Sequence, residues 1–158
     1  EMLRSLVGSE MCIRDSITPD ITPEVAGEWI AASERTGLDR VFLAAPTSSD
    51  ERLGLVVKSS TGFVYTVSTM GITGERTELD RAARTLVGRL REHGDVRACV
   101  GIGISTAEQI AGVSEYADGA IVGTALVRAL RDGGIPALAE VTRNLAVGTS
   151  SARPTHEN

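Results

Sequence analysis

The chain has 158 residues, of which 42% are apolar and 23% are charged, and its formal net charge is −5. These values are typical of one soluble globular domain, and an acidic balance without a basic run argues against nucleic acid and anionic membranes as partners. No apolar run approaches the roughly 20 residues that cross a bilayer, so we expect a cytoplasmic protein without a membrane span.

The first 16 residues are predicted to be foreign to the protein. The heptapeptide "EMCIRDS" at 10–16 resembles the conceptual translation of a transposase adapter used in DNA library preparation. Segments of this kind are excluded from fold reasoning. We therefore assign residues 1–16 to an adapter, with a native, disordered amino terminus as the alternative.

From Ile17 onward, strand and helix signals alternate along the chain. Strands are predicted at residues 40–46, 62–68, 97–103 and 119–123, each rich in apolar and β-branched residues. Three helices are predicted with both ends: from Thr22 and Pro23 to Gly37, from Thr77 to His93 and Gly94, and from Thr124 to about Arg131. Three more are predicted from their first residues: one from Ser49, one from the S-x-x-E capping box of Ser105 and Glu108, and one from Pro136. This alternation indicates parallel strands that are covered by helices.

The number of units suggests half of a closed barrel. A (β/α)8 TIM barrel typically takes about 250 residues, whereas this sequence supplies four clear strands and one leading helix. We therefore predict an α/β fold that is the C-terminal half of a TIM barrel, about strands 5 to 8 with their helices. Residues 17–148 are assigned to this half barrel and residues 149–158 to a polar tail. Such a half exposes two sheet edges.

Small residues follow three of the predicted strands. They are Gly71 and Gly74, then Gly101 and Gly103 with Ser105, and then Gly123 with Thr124. Because the carboxyl ends of parallel barrel strands lie on one face, their backbone N–H groups can approach one ligand closely. Barrel phosphate sites commonly use the loops after the last two strands and the start of a short helix. We therefore predict phosphate binding at this face.

Two alternatives remain for these glycines. Any one of them could serve only to make a tight turn between a strand and a helix. A dinucleotide-binding fold is the other alternative, because "GIGIST" begins like G-x-G-x-x-G. That motif is weak here, since it lacks the third glycine and an acidic residue at the end of the next strand.

Five stretches of the sequence occur in an order and spacing that point to one family. They are "PDITPEVAGEW", "VFLAAPTSSDERL", "GFVYTVSTMGITGER", "CVGIGISTAEQ" and "DGAIVGTALVRAL". From about residue 17 to 147, they resemble the tryptophan synthase alpha chain family. The resemblance implies a (β/α)8 lyase that cleaves indole-3-glycerol phosphate into indole and glyceraldehyde 3-phosphate in tryptophan biosynthesis. It implies no cofactor in this chain and a partner beta chain, in an alpha2beta2 assembly, that carries pyridoxal phosphate.

The same resemblance assigns roles to residues of the predicted strand ends. Gly103, Gly123 and Thr124 would form the phosphate site, with Thr124 standing where relatives more often carry serine. Tyr65 would line the substrate pocket, and Phe63 is a weaker candidate for the same role. Barrel core is the alternative for both aromatic residues.

The stretch "STMGITGE" at 68–75 corresponds in the family to the mobile loop after strand six. The resemblance implies that Thr73 helps to position a catalytic carboxylate and that Gly74 binds the phosphate. Both essential carboxylates of the family, a glutamate and an aspartate, belong to the half of the barrel that this sequence does not supply. We therefore predict no catalytic residue in this chain and no cleavage by the chain alone.

No metal site is predicted, because His93 and His156 fall at a helix end and in the polar tail. Two other functions remain open. One is another phosphate-binding barrel enzyme, such as an isomerase of the same pathway. The other is a non-catalytic half barrel that binds phosphate or pairs with itself through its open edges.

Overall fold

The structure, a computed structural model, describes residues 14–67, 76–101 and 103–150. Strands and helices alternate along these ranges. The strands are β1 (Asp15–Ile17), β2 (Asp39–Val41), β3 (Leu43–Ala44), β4 (Val64–Val67), β5 (Ala98–Gly101) and β6 (Gly119–Ala120). The helices are α1 (Gly27–Thr36), α2 (Asp50–Ser59), α3 (Arg76–Glu92), α4 (Ala107–Ser114) and α5 (Thr124–Ser150), with a 3-10 turn at Pro23–Val25 before α1.

Every described strand pair is parallel, and each strand pairs with its neighbour in the chain. β1 pairs with β2, and a second sheet has the order β3-β4-β5-β6. Only Phe42 separates β2 from β3, so the two sheets follow one another directly along the chain. Sequential parallel strands with intervening helices are the arrangement of a TIM barrel. The predicted α/β fold, a partial barrel, is therefore confirmed.

The strand β1 was absent from the predicted elements. It is short, and residues Asp15 and Ser16 are polar, so it lacks the apolar run by which a buried strand is recognised. Those two residues also fall inside the segment 1–16 that was assigned to an adapter, a boundary that stays a prediction. The predicted strand at 40–46 is divided in the structure into β2 and β3.

Two helix starts differ from the sequence prediction. Thr106, not Ser105, is the N-cap of α4, and Gln109 rather than Glu108 completes the capping box. The sequence contains two overlapping boxes, S-x-x-E and T-x-x-Q, and composition alone does not choose between them. Pro23 begins a 3-10 turn instead of the α-helix itself, which starts at Gly27.

Other helix boundaries agree with the sequence. Gly37 ends α1 in the left-handed conformation with φ 66°, and the Ser49 hydroxyl caps α2 by accepting a hydrogen bond from the Arg52 amide. Gly134, with φ 64° and ψ −159°, interrupts α5 just before Pro136. This break divides α5 into two helical runs, as predicted from the "DGG" sequence.

The two faces of the sheet differ in burial. Val64, Thr66, Ala98 and Val100 face the helices and are 0% exposed. Their alternating neighbours point to the opposite side, because successive strand residues face opposite ways. We call this side the inner face; it consists of Leu43, Tyr65, Val67, Cys99, Gly101 and Gly119, which are all half-buried. The core therefore lies between the sheet and the helices.

Candidate functional site

Gly103 and Gly123 lie at matched positions beyond two neighbouring strands. Val100 of β5 is paired with Ala120 of β6, and each glycine follows its strand residue by three positions. The Ile121 amide continues this pairing by donating to the Val100 carbonyl at 2.8 Å. The structure thus brings the two predicted phosphate-binding glycines to one edge of the sheet. We call this edge, where the strands reach their carboxyl ends, the carboxyl rim.

The amino end of α5 is open to a ligand. Thr124 begins the helix, and the Gly123 carbonyl accepts from the amides of Leu126 and Val127 at 3.0 and 3.1 Å. In the part of the chain that the structure describes, the amides of Gly123, Thr124 and Ala125 donate to no acceptor. The first turn carries no acidic residue. Free N–H groups at the positive end of a helix dipole form an anion-binding site.

The amino end of α4 is closed by its own side chains. Gln109 Oε1 accepts from the backbone amides of Ser105 at 2.8 Å and Thr106 at 3.1 Å, while Thr106 Oγ1 accepts from the Gln109 amide at 3.3 Å. A hydrogen bond to its own backbone amide, followed by one to the Thr106 hydroxyl, lowers the pKa of the exposed Glu108 carboxyl. The helix start therefore carries an ionised carboxylate and few open donors. Of the helix starts that follow β5 and β6, the start of α5 is the one suited to bind an anion.

Tyr65 lies on the inner face and leans toward the carboxyl rim. Its ring covers Gly101, the last residue of β5, so closely that a Cβ on Gly101 would overlap the ring. The small residue at position 101 thus makes room for the tyrosine, a role that the sequence analysis did not assign to it. Gly119 similarly accommodates Cys99, whose Sγ would lie 2.9 Å from an added Cβ.

Cys99 is a half-buried free thiol beneath this part of the inner face. Burial raises the pKa of the Cys99 thiol, and the nearby Asp118 carboxylate adds to the increase. A raised pKa keeps the thiol protonated at neutral pH and lowers its reactivity. Cys99 is therefore a packing residue of the inner face.

A cleft of about 340 Å³ opens at the carboxyl ends of β3 and β4. Its walls include Leu43 and Val67 of the inner face, together with Pro19, Ile21 and Ser48 from the adjoining loops. The sequence analysis did not single out Leu43 or Val67. The available signal was their alternation with fully buried strand residues, which places them on the same face as Tyr65.

Phe63 does not join this group. It precedes β4 and lines a separate cleft at the opposite end of the strand, with Thr61, Asp95 and Arg97 among its neighbours. Tyr65 and Phe63 were both predicted to contact substrate. Tyr65 leans toward the carboxyl end of β4, whereas Phe63 lies at its amino end. Thr73 and Gly74 lie outside the described residues.

Within residues 14–67, 76–101 and 103–150, no group of three or more histidine, cysteine, aspartate or glutamate side chains is arranged to hold a metal ion. Over the same residues, no helix is both long enough and apolar enough to cross a bilayer.

Comparison with known proteins gives consistent matches. The model of a family described as "Tryptophan synthase alpha chain" matches residues 8–153. The chain is similar to the tryptophan synthase alpha chain of Leifsonia xyli, with 62% identity over 132 residues that cover 84% of this chain and 51% of the relative. It is also similar to the alpha chain of Mycobacterium avium, with 55% identity over 132 residues, 84% of this chain and 49% of the relative.

Two solved structures illustrate the similarity of fold. Mycobacterium tuberculosis tryptophan synthase in space group F222 matches with a TM-score of 0.75 and 50% identity, covering 84% of this chain and 50% of that one. The tryptophan synthase a2b2 complex of Pyrococcus furiosus matches with a TM-score of 0.74 and 32% identity, covering 86% and 55%. The chain spans about half the length of the curated relatives it matches.

Proposed function

The chain belongs to the tryptophan synthase alpha chain family, and from that premise we propose that it supplies the phosphate-binding half of a lyase of tryptophan biosynthesis. The proposed reaction is the retro-aldol cleavage of indole-3-glycerol phosphate into indole and glyceraldehyde 3-phosphate. One observation carries the proposal. The open amino end of α5 offers an anion site at the same end of the sheet toward which Tyr65 leans.

The phosphate is proposed to bind the amides of Gly123, Thr124 and Ala125, with Gly103 at the adjacent strand end. Each hydrogen bond to a charged phosphate can contribute about 1.5–3 kcal/mol. Three such donors would bind a phosphomonoester without an arginine. Gly103 has φ 69° and is exposed, so its backbone turns at the carboxyl rim without adding a side chain of its own there.

The indole ring is proposed to lie on the inner face above β3 and β4. Leu43 and Val67 offer apolar surface there, and Tyr65 offers an aromatic edge.

The groups that transfer protons are proposed to come from outside this chain. Retro-aldol cleavage needs one group to accept the proton of the substrate hydroxyl and another to protonate the indole ring. In the described part of the chain, the inner-face residues of β3 to β6 include no carboxylate. We propose that the chain binds substrate and does not cleave it alone. The roles that the resemblance gives to Thr73 and Gly74 stay predictions.

The proposed partner is a tryptophan synthase beta chain. A solved relative is described as the a2b2 complex of tryptophan synthase from Pyrococcus furiosus. We propose the same pairing for the complete protein, with pyridoxal phosphate bound only by the beta chain, in the cytoplasm.

A chimeric enzyme tests the proposed function. Residues 17–148 are joined behind the amino-terminal part of the Leifsonia xyli alpha chain that precedes its matched region, and release of indole from indole-3-glycerol phosphate is measured. The expected result is turnover that Gly123→Val lowers mainly through a higher KM, since its side chain would stand in the phosphate site. A folded chimera that neither releases indole nor binds glycerol 3-phosphate would overturn the proposal.

The unmodified chain provides the complementary measurement. We expect no indole above background from the purified chain of 158 residues. Turnover by the chain alone would contradict the assignment of both proton-transfer groups to another part of the protein.

A further inference from the structure

One arginine side chain holds the turn that follows β3. Arg89 of α3 donates from Nη1 to the Pro46 carbonyl at 3.3 Å and from Nη2 to the Ser48 carbonyl at 2.7 Å. Its Nε and Nη2 atoms also donate to Asp50 Oδ1, at 3.0 and 2.7 Å. The guanidinium therefore binds the residues on both sides of Thr47 and the first residue of α2.

This turn forms a wall of the cleft in which the indole ring is proposed to lie. Ala45, Thr47 and Ser48 line that cleft at the carboxyl ends of β3 and β4. On the other side of the turn, a second cleft of about 350 Å³ is lined by Pro46 and Arg89. Because a cleft borders the turn on each side, close packing holds it weakly, and its position depends on hydrogen bonds.

The hydrogen bonds within the turn do not join it to the neighbouring helix α3. The Ser48 amide donates to the Ala45 carbonyl at 2.9 Å, and the Ala45 amide donates to Ser48 Oγ at 3.2 Å. These bonds close the turn on itself. Arg89 makes the connection to α3, and hydrogen bonds from a planar, charged guanidinium are stronger and more directional than neutral ones.

We propose that Arg89 is a positioning residue for substrate, which keeps Thr47 and Ser48 at the wall of the cleft by binding the turn from outside. Among the described residues, Arg89 lines the second cleft rather than the first, so it acts through the turn and not by touching substrate. This role rests on the proposed function, because it takes the first cleft as the place of the indole ring. Binding sites need such support to keep their geometry.

Amide hydrogen exchange of this chain, followed by NMR, tests whether Arg89 holds the turn. In Arg89→Ala we expect the Ser48 amide to exchange about tenfold faster, because the turn opens more often without its charged donor. The Tyr65 amide donates to the Phe42 carbonyl at 2.9 Å within the barrel wall. Its exchange rate should change much less than that of Ser48, which distinguishes opening of the turn from unfolding of the chain.

Two further variants separate the contacts of Arg89 from a general loss of charge. Arg91→Ala is the matched control, because Arg91 lies on the same helix and pairs with Asp118 at the amino end of the wall. It should leave the Ser48 exchange rate unchanged. Arg89→Lys keeps the charge but lacks the guanidinium fork that reaches two carbonyls, so its Ser48 rate should lie between those of wild type and Arg89→Ala.

Ligand binding by the chimeric enzyme tests the consequence for substrate. Isothermal titration calorimetry measures the affinity for indole and the affinity for glycerol 3-phosphate separately. Arg89→Ala should weaken indole binding about tenfold and leave glycerol 3-phosphate binding unchanged, because the proposed phosphate site at the start of α5 contains none of the residues that Arg89 contacts. A general loss of folding would weaken both.

Either of two results would overturn the role of Arg89. One is a Ser48 amide that exchanges no faster in Arg89→Ala than in Arg91→Ala. The other is an indole affinity that Arg89→Ala leaves unchanged, or lowers only in step with the affinity for glycerol 3-phosphate. A wild-type chimera that binds neither ligand would contradict the proposed function, and the exchange rates would still decide whether Arg89 holds the turn.

Discussion

The two ends of the barrel wall use polar groups in opposite ways. At the amino end, Arg40 is only 6% exposed, and its guanidinium donates to the Ser59 carbonyl at 2.9 Å and to the Ser33 hydroxyl at 2.6 Å. At the carboxyl rim, Gly123 and Thr124 are exposed residues, and their amides have no acceptor among the described residues. Arg40 thus satisfies buried polar groups at one end of the wall, and the start of α5 leaves backbone donors open at the other. In TIM barrels these ends correspond to stability and to activity.

The largest effect on stability is expected from Arg40→Ala. The substitution leaves the buried Ser33 hydroxyl and the half-buried Ser59 carbonyl without their donor, so the free energy of unfolding should fall by about 3 kcal/mol. Urea denaturation measures the change. Arg52→Ala is the control, because Arg52 forms an exposed ion pair with Glu24, and the loss there should stay below about 1 kcal/mol. Equal losses for the two variants would contradict the contrast between buried and exposed arginines.

Gly101→Ala should have the next largest effect. Because the new methyl group overlaps the Tyr65 ring, the ring must move, at a cost of about 1–3 kcal/mol. In a Tyr65→Ala background the same substitution should cost little. A double-mutant cycle of thermal unfolding measures the coupling, and strictly additive effects would show that the ring does not depend on Gly101.

Substitution of Asp118, at the amino end of the barrel wall, should have a smaller effect on stability. Its carboxylate accepts from the Ala98 amide at 2.8 Å and from Arg91 at 3.2 Å. Asp118→Ala should lower the free energy of unfolding by about 1–2 kcal/mol, because the amide loses its acceptor. Asp118→Asn keeps an acceptor oxygen and loses only an exposed ion pair, so it should cost less than about 0.5 kcal/mol. If asparagine is as damaging as alanine, the charge and not the amide contact stabilises this end.

Gly88→Ala is expected to raise the stability of the chain, unlike the substitutions above. Gly88 is exposed within α3, and a Cβ there meets no atom within 4 Å. Alanine should therefore stabilise the chain by about 0.5–1 kcal/mol, because glycine weakens a helix interior. A lower melting temperature would show that this glycine has a role that its surroundings do not reveal.

Local features of this fold were predictable from the sequence, and contacts between distant residues were not. The cap at Ser49, the stop at Gly37 and the break before Pro136 depend on neighbouring residues, so their positions follow from the sequence. The placement of Gly103 and Gly123 at one edge was also expected, because parallel strands end on the same side.

The remaining features depend on register and side-chain contacts. The overlap of Tyr65 with Gly101 joins residues of two strands, and only the pairing of β4 with β5 reveals it. The sequence analysis had already placed the phosphate site at Gly103, Gly123 and Thr124, whereas the hydrogen bonds by which Gln109 closes the start of α4 are seen only in the structure. The strand β1 escaped prediction because its residues are mostly polar and exposed.

The most direct test of the open carboxyl rim is an amide NMR titration of this chain with glycerol 3-phosphate, with glycerol as the uncharged control. We expect shifts centred on the amides of Gly123, Thr124 and Ala125. Gly123→Val should weaken binding about tenfold, or about 1.4 kcal/mol, without a loss of stability, because a Cβ at Gly123 meets no atom within 4 Å. Gly27→Val, at the start of α1 with equally open surroundings, should leave binding unchanged. Wild-type affinity in Gly123→Val, or shifts centred instead on the start of α4, would contradict the assignment of α5 as the phosphate site.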